Sequence, residues 1–146
     1  AFVYVIEFQK CGLPHVHILI TLKRDFKIMI PQIVDKYISA EIPNPSENSR
    51  LHDIVMKHMI HGPCGDWCLV DGKCSKHYPK SFLKKLKWIM MLIHIRRRNV
   101  GKTFERPGGY IVDNRHVVPY CPILSIIFNC HINVEILSSI KSVKYL

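Results

Sequence analysis

The sequence lacks an apolar run long enough to cross a membrane, for which roughly 18 uninterrupted residues are needed. Its longest apolar stretch, 88–95, is short and contains His94. The first eight residues carry Glu7 and show neither a basic start nor a cleavage pattern, so we find no secretory signal.

Acidic residues are also scarce, because 11 Asp and Glu stand against 21 Lys and Arg, a net charge of +10. A field of this sign favours a polyanionic partner, either nucleic acid or an anionic membrane surface. With 146 residues and 48% apolar content, the chain is long enough for one domain with a core. We expect a single domain over 1–146, cut at both ends from a longer protein, with a Cys- and His-rich insertion at 61–79.

The six cysteines do not predict a disulfide framework, because the chain is basic and carries no export signal. Cys64, Cys68, Cys74 and His77 have the spacing of a small zinc knuckle, with glycines at the turns and His61 just before the group. The sequence therefore predicts a closed, structural zinc site here. The alternative is free thiols in a small core.

Two histidines flank a single apolar residue in the segment 12–20, GLPHVHILI. Because side chains alternate between the faces of a strand, His15 and His17 point the same way. The segment 2–8 alternates too, and the Gly and Pro between the two segments predict an antiparallel hairpin with a loop of about six residues. We expect the apolar face of this hairpin to be buried.

A histidine pair on one strand face is suited to chelating a divalent metal ion. Glu7 is the favoured third ligand, because the hairpin would bring its carboxylate near His15. His131 and Glu135 are second choices. Mixed histidine and carboxylate sites suit Mg²⁺, Mn²⁺ or Zn²⁺. The alternatives are histidines that merely alternate on a half-exposed strand and a solvated charge at Glu7.

Tyr145 is a second candidate for chemistry. Helical periodicity over 138–146 places it opposite an apolar stripe and beside Lys141 and Lys144. Nearby cations favour the phenolate and attract phosphate, which makes Tyr145 a candidate nucleophile. The alternative is an ordinary surface tyrosine.

The other basic residues are interleaved with aromatic ones, which favours contacts with a phosphate backbone and stacked bases. This cationic group comprises Lys73, Lys76, Lys80, Lys84, Lys85, Lys87, Arg96, Arg97 and Arg98. The alternative is a solvated face that only aids solubility. Elsewhere the periodicity predicts helices over 31–40 and 51–60, extended chain over 110–120 and a strand over 126–136.

Short stretches that follow one another along most of the chain carry a family resemblance: VIEFQK (5–10), GLPHVHILI (12–20), ISAEIP (38–43), MIHGPCG (59–65), GKCSK (72–76), DNR (113–115), VVPY (117–120), HINVEI (131–136) and SVKYL (142–146). Together they resemble the replication-initiator (Rep) domain of Helitron transposons, a member of the His-hydrophobe-His (HUH) endonuclease superfamily. The resemblance implies an α+β fold in which a central antiparallel sheet, flanked by helices, carries a metal on its surface.

The same resemblance implies metal-dependent nicking of single-stranded DNA. Tyr145 would attack the phosphodiester, leaving a 5′-phosphotyrosyl link and a free 3′-OH, and the bound strand would then be transferred during rolling-circle transposition. Glu7, His15 and His17 would hold Mg²⁺ or Mn²⁺. Family members carry a second tyrosine one helical turn further on, which here would follow Leu146. The implied partners are single-stranded DNA and a downstream helicase domain, with no membrane, and the implied location is nuclear.

Some segments depart from the family pattern, namely Cys11, the stretch 82–95, the shortened cysteine knuckle and the residues 121–123. Three other hypotheses about function remain open. The protein could be a non-catalytic nucleic-acid-binding module built on the zinc knuckle, a decayed transposon fragment, or a metallohydrolase that needs no tyrosine.

Overall fold

The computed structural model describes residues 1–9, 12–28, 30–89 and 92–137. Within them the fold is mixed α/β, with three α-helices and four two-stranded antiparallel sheets. In chain order the elements are β1 (Phe2–Phe8), β2 (Pro14–Ile20), α1 (Pro31–Tyr37), α2 (Ser49–His58), β3 (Leu69–Val70), β4 (Lys73–Cys74), β5 (Lys87–Ile89), β6 (Leu92–His94), β7 (Phe104–Arg106), β8 (Tyr110–Val112) and α3 (Pro122–Phe128). Short 3₁₀ helices cover Arg24–Phe26, Asp66–Cys68 and Asn114–His116.

The strands β1 and β2 form the predicted antiparallel hairpin, which is confirmed by pairs from Phe2↔Ile20 to Phe8↔Pro14. The expected burial of its apolar face is wrong, because Ile6 is 55% exposed. No other described helix or strand makes an extended contact with this hairpin, so both of its faces are open.

The larger core forms beneath α2. Its buried members are Leu51, Val55, Met59, Val117 and Tyr120. The residues from α2 and its C-cap recur at helical spacing, so one face of the helix is buried, and α3 packs alongside α2. Fully burying side chains of this size stabilises the fold by about 1.5–3 kcal/mol each.

The predicted helix over 51–60 begins slightly earlier, at Ser49, because Asn48 caps it. The Asn48 side chain accepts a hydrogen bond of 3.0 Å from the backbone N–H of Leu51. This contact satisfies one of the unpaired donors at the helix start.

A second core joins α1 to the segment after β6. Its buried members are Val34, Ile38, Ala40 and Ile95. A β-bridge between Ser39 and Tyr120 links this core to the larger one, with two backbone hydrogen bonds of 2.9 Å. The two cores therefore form one packed body, and the loop 61–80 is attached to it.

The prediction of a strand over 126–136 is wrong. The helix α3 occupies Pro122–Phe128, and 129–136 has no regular structure. Pro122 pre-sets the first helical turn, and Asn129 ends the helix in the left-handed conformation at φ 45°. The predicted helix over 138–146 lies outside the described residues.

The part of the chain that the structure describes contains no helix of the length and apolarity that a membrane span requires.

Candidate metal centres

The loop 61–80 begins on the larger core. Ile60 forms a β-bridge with Val117, and the His61 backbone N–H donates to the His116 carbonyl at 2.8 Å. Beside the same bridge, the Val118 backbone N–H donates to the Met59 carbonyl, also at 2.8 Å. The backbone of His61 is thus held by a buried scaffold before the loop begins.

A tight turn brings two cysteines of the loop together. β3 and β4 pair through a two-residue connection, in which Asp71 and Gly72 both adopt positive φ, at 51° and 73°. Positive φ at both central positions is the geometry that suits tight hairpins. Ser75 N–H donates to the Cys68 carbonyl at 2.8 Å, which holds Cys68 beside Cys74.

Four side chains converge on one point in this loop. The ligand atoms of His61, Cys64, Cys68 and Cys74 all lie within 4.8 Å of one another. The Nε2 of His61 lies 3.3, 3.6 and 3.2 Å from the sulfurs of these three cysteines in chain order. The sulfurs of Cys68 and Cys74 are 3.8 Å apart.

These separations match a tetrahedral metal site. With a metal–sulfur distance of about 2.3 Å and a metal–nitrogen distance of about 2.0 Å, tetrahedral geometry needs roughly 3.8 Å between sulfurs and roughly 3.6 Å between sulfur and nitrogen. The four groups could therefore hold one metal ion. The cluster, hereafter the His/Cys cluster, leaves no position for substrate because the protein supplies all four ligands.

The histidine that lies beside the three cysteines is His61, whereas the spacing in the sequence favoured His77 as the fourth ligand. His77 is exposed and adopts a positive φ of 58°, and its backbone N–H donates to the Cys74 carbonyl. The sequence signal for His61 is its close spacing to Cys64, with the turn-forming pair Gly62-Pro63 between them.

The environment of the His/Cys cluster shifts the titration of its ligands. Burial, followed by the positive charges of Lys76 and Lys80, lowers the pKa of His61, which keeps the imidazole neutral and able to bind metal. Burial and the neighbouring thiols raise the pKa of Cys64 to about 12. Burial would also raise the pKa of Cys74, but hydrogen bonds from the Tyr78 and Lys76 backbone outweigh burial and lower it.

The hairpin gathers the other predicted metal ligands. Glu7 lies directly opposite His15 in the β1–β2 register, and His17 follows on the same face. The Glu7 carboxylate lies 3.5 Å from Nε2 of His17, and the two imidazole rings are 4.7 Å apart between centroids. The side chains of Glu7 and His17 are 63% and 62% exposed, so this face is open to solvent.

The two second-choice ligands for the hairpin are engaged elsewhere. His131 donates its Nδ1–H to the carbonyl of His58 at 2.7 Å. Glu135 accepts a hydrogen bond of 3.2 Å from the amide of Asn133. Glu7 remains the carboxylate that the structure brings to the histidine pair.

The three consecutive arginines, Arg96, Arg97 and Arg98, form hydrogen bonds or ion pairs with other residues of the packed body. Arg97 is only 6% exposed and donates to the carbonyls of Asn114 and Val117. Arg98 forms a bidentate pair with Glu41, with its closest contact at 2.8 Å. A buried guanidinium cannot reach a phosphate without leaving its partners, so Arg97 is removed from the predicted DNA contacts.

Arg96 is likewise paired with acidic side chains. It lies 3.3 Å from Asp35 and 3.7 Å from Glu41. Among the predicted DNA contacts, Arg96 and Arg98 therefore neutralise acids of the packed body, although Arg98 keeps an exposed edge. Tyr145, Lys141 and Lys144 lie outside the described residues.

Sequence reasoning also missed the exposed indole of Trp67, which lies in the 3₁₀ turn between two ligands of the His/Cys cluster and is 90% exposed.

No protein-family model matches this chain, and no curated protein matches it.

Proposed function

We propose that this protein is a metal-dependent endonuclease and strand transferase that acts on single-stranded DNA. The observation that carries the proposal is the hairpin register, which sets Glu7 opposite His15 with His17 on the same face. Two imidazoles and a carboxylate suit a divalent metal such as Mg²⁺ or Mn²⁺. Their exposure leaves coordination positions for a phosphodiester, as catalysis requires and a closed site does not allow.

The residues have distinct roles in this proposal. His15, His17 and Glu7 would hold a metal ion, and such an ion would supply polarisation of the scissile phosphate. Tyr145 is the proposed nucleophile. Its phenolate oxygen would bond to phosphorus as the bond from phosphorus to the 3′ oxygen of the preceding nucleotide breaks, and that oxygen would take a proton from water. Lys141 and Lys144 would favour the phenolate and attract the phosphate. We further propose that β1 and β2 belong to a central antiparallel sheet. We also propose that the protein works with a downstream helicase domain and acts in the nucleus.

We also propose that the His/Cys cluster holds a structural zinc ion. Three thiolates and one neutral imidazole at tetrahedral separations are the ligands that such sites use. This ion would hold the loop 61–80 in shape and take no part in cleavage.

A nicking reaction tests the catalytic proposal. The chain is incubated with end-labelled single-stranded DNA and Mn²⁺, and a protein–DNA adduct is sought on a denaturing gel. The adduct should be lost in Tyr145→Phe and in the double variant His15→Ala/His17→Ala. It should persist in Tyr37→Phe and His94→Ala, which change an exposed tyrosine and an exposed histidine outside the hairpin.

A second candidate function is a nucleic-acid-binding module with no catalysis, which the His/Cys cluster favours. This function predicts that DNA binds with unchanged affinity in the Tyr145→Phe and His15→Ala/His17→Ala variants, while no adduct forms with any of them. Cleavage without an adduct would instead indicate a metallohydrolase that activates water.

A further inference from the structure

A groove with a volume of about 510 Å³ opens beside the His/Cys cluster. Its walls include Lys73, Tyr78 and Tyr110, together with the cluster residues Cys64 and Cys74. A volume of this size falls within the range of roughly 300–1,000 Å³ that is usual for ligand sites. The groove is therefore built by the same turns that bring the ligands of the cluster together.

Trp67 belongs to the same loop and is unusually open. Its indole is 90% exposed, although it lies between Cys64 and Cys68, two ligands of the cluster. The ring packs over Gly65, where an added Cβ would lie only 2.1 Å from the ring. One edge of the indole is thus held against backbone, and most of its surface remains free to stack on another planar group.

Lysines accompany these aromatic side chains. Lys73 lines the groove, and the Lys80 ammonium lies 4.8 Å from the centroid of the Tyr78 ring. Among the described side chains, no ion pair within 4.0 Å involves Lys73, Lys76 or Lys80. The Lys80 ammonium donates to the Lys76 carbonyl at 2.7 Å, whereas Lys73 and Lys76 are exposed. The charges of Lys73 and Lys76 are thus available to phosphates, in contrast with those of Arg96 and Arg98.

We propose that this loop binds single-stranded DNA, with a base stacked on Trp67 and the backbone phosphates contacted by Lys73 and its neighbouring lysines. The choice of DNA as the ligand rests on the proposed function. Exposed aromatic rings beside cations are the common means of binding a single strand without reading its sequence. The loop also contains Asp66 and Asp71, whose negative charges offset part of the attraction of its lysines for phosphate.

Tryptophan fluorescence tests this inference directly, because the chain contains only two tryptophans. In the zinc-loaded Trp88→Phe variant, Trp67 is the sole indole, and a titration with oligo(dT) should quench it. In the matched Trp67→Phe variant, the remaining Trp88 should show little change. Neither measurement depends on cleavage, so failure of the nicking reaction leaves this test intact.

Affinities measured by anisotropy of labelled oligo(dT) complete the test. Trp67→Ala should weaken binding about tenfold, the loss expected for one stacked base. Lys73→Gln should weaken binding about threefold and reduce the slope of log K against log salt by about 0.7, as for one phosphate contact. Lys102→Gln, which removes an exposed lysine outside the loop, should change neither quantity.

Three outcomes would overturn the inference. They are quenching at Trp88 but not at Trp67, unchanged affinity in both Trp67→Ala and Lys73→Gln, and tighter binding of oligo(U) RNA than of oligo(dT). Loss of DNA binding in Trp67→Ala with normal adduct formation on saturating DNA would support it, because the loop 61–80 would then bind DNA apart from the hairpin.

Discussion

The His/Cys cluster and the β1–β2 hairpin each assemble potential metal ligands, but by opposite means. The cluster stands on a backbone that is hydrogen-bonded to the larger core, and its ligands Cys68 and Cys74 are buried. The hairpin presents Glu7 and His17 on an open face, with no extended contact to any other described element. The sequence predicts a closed structural site for the cluster and a separate metal site for the hairpin, and the burial of their side chains differs accordingly.

The difference indicates two kinds of metal chemistry. A closed set of four protein ligands satisfies the metal completely and stabilises the loop that carries it. An exposed set of three leaves positions open to water or phosphate, at the cost of weaker binding. We therefore expect the His/Cys cluster to govern stability and the hairpin to govern activity.

The largest expected effect comes from breaking the His/Cys cluster. Cys68→Ser should abolish the binding of one zinc ion and lower the free energy of unfolding by about 5 kcal/mol, because zinc binding to such sites is coupled to folding. Zinc content by elemental analysis and thermal unfolding followed by circular dichroism measure the two losses.

The matched control for that variant is Cys130→Ser, which changes an exposed cysteine outside the cluster. It should retain both zinc and thermal midpoint. Equal destabilisation by the two substitutions would contradict a zinc-dependent fold.

A smaller loss of stability should distinguish the larger core from the hairpin. Met59 is fully buried beneath α2, so Met59→Ala should lower the free energy of unfolding by about 3 kcal/mol through the cavity that it leaves. Ile6→Ala, on the exposed face of β1, should cost less than about 0.5 kcal/mol. Urea unfolding of both variants measures the contrast, and a cost at Ile6 as large as that at Met59 would show that the hairpin face is covered in solution.

The helix α2 and the β1–β2 hairpin could be predicted from sequence because their signals are local. The apolar stripe of α2 and the turn-flanked alternation of β1 and β2 each specify an element without reference to the rest of the chain. The strand predicted over 126–136 failed because alternation there competed with Pro122 and a left-handed Asn129, which favour a helix just before it.

The candidate sites were harder to predict, because ligand identity depends on how distant segments pack. The histidine pair and Glu7 are neighbours across one hairpin, so spacing sufficed to bring them together. His61 joins the His/Cys cluster only because Ile60 pairs with Val117, more than fifty residues away. The burial of Arg97 follows likewise from carbonyls supplied by 114–117, which no pattern around 96–98 reveals.

A pH-dependent effect should appear in the packed body. Burial would raise the pKa of Glu41, but hydrogen bonds from Arg98 outweigh it and lower the pKa below its usual value of 4.5. The ionised carboxylate therefore stabilises the fold above about pH 4.5, and this contribution is lost as the pH falls through the lower folded-state value.

Glu41→Gln should accordingly cost about 2 kcal/mol at pH 7, because Arg96 and Arg98 lose their charged partner. The difference from the unsubstituted protein should shrink as the pH is lowered toward 3. Urea unfolding at a series of pH values measures this convergence. A constant difference across the series would show that the carboxylate charge does not stabilise the fold.

The smallest effect on stability is expected at the hairpin. A variant there should change metal binding while leaving stability nearly unchanged, in contrast with the His/Cys cluster. Glu7→Gln changes an exposed carboxylate, so unfolding should shift by less than about 0.5 kcal/mol. Removing one of three proposed ligands should nevertheless weaken Mn²⁺ binding about tenfold or more by titration calorimetry. Glu105→Gln provides the control, since Glu105 is an exposed strand carboxylate outside the hairpin. If Glu7→Gln and Glu105→Gln bind Mn²⁺ equally, Glu7 is a solvated surface charge, and the histidine pair would need its third ligand from another residue or from the nucleic acid itself.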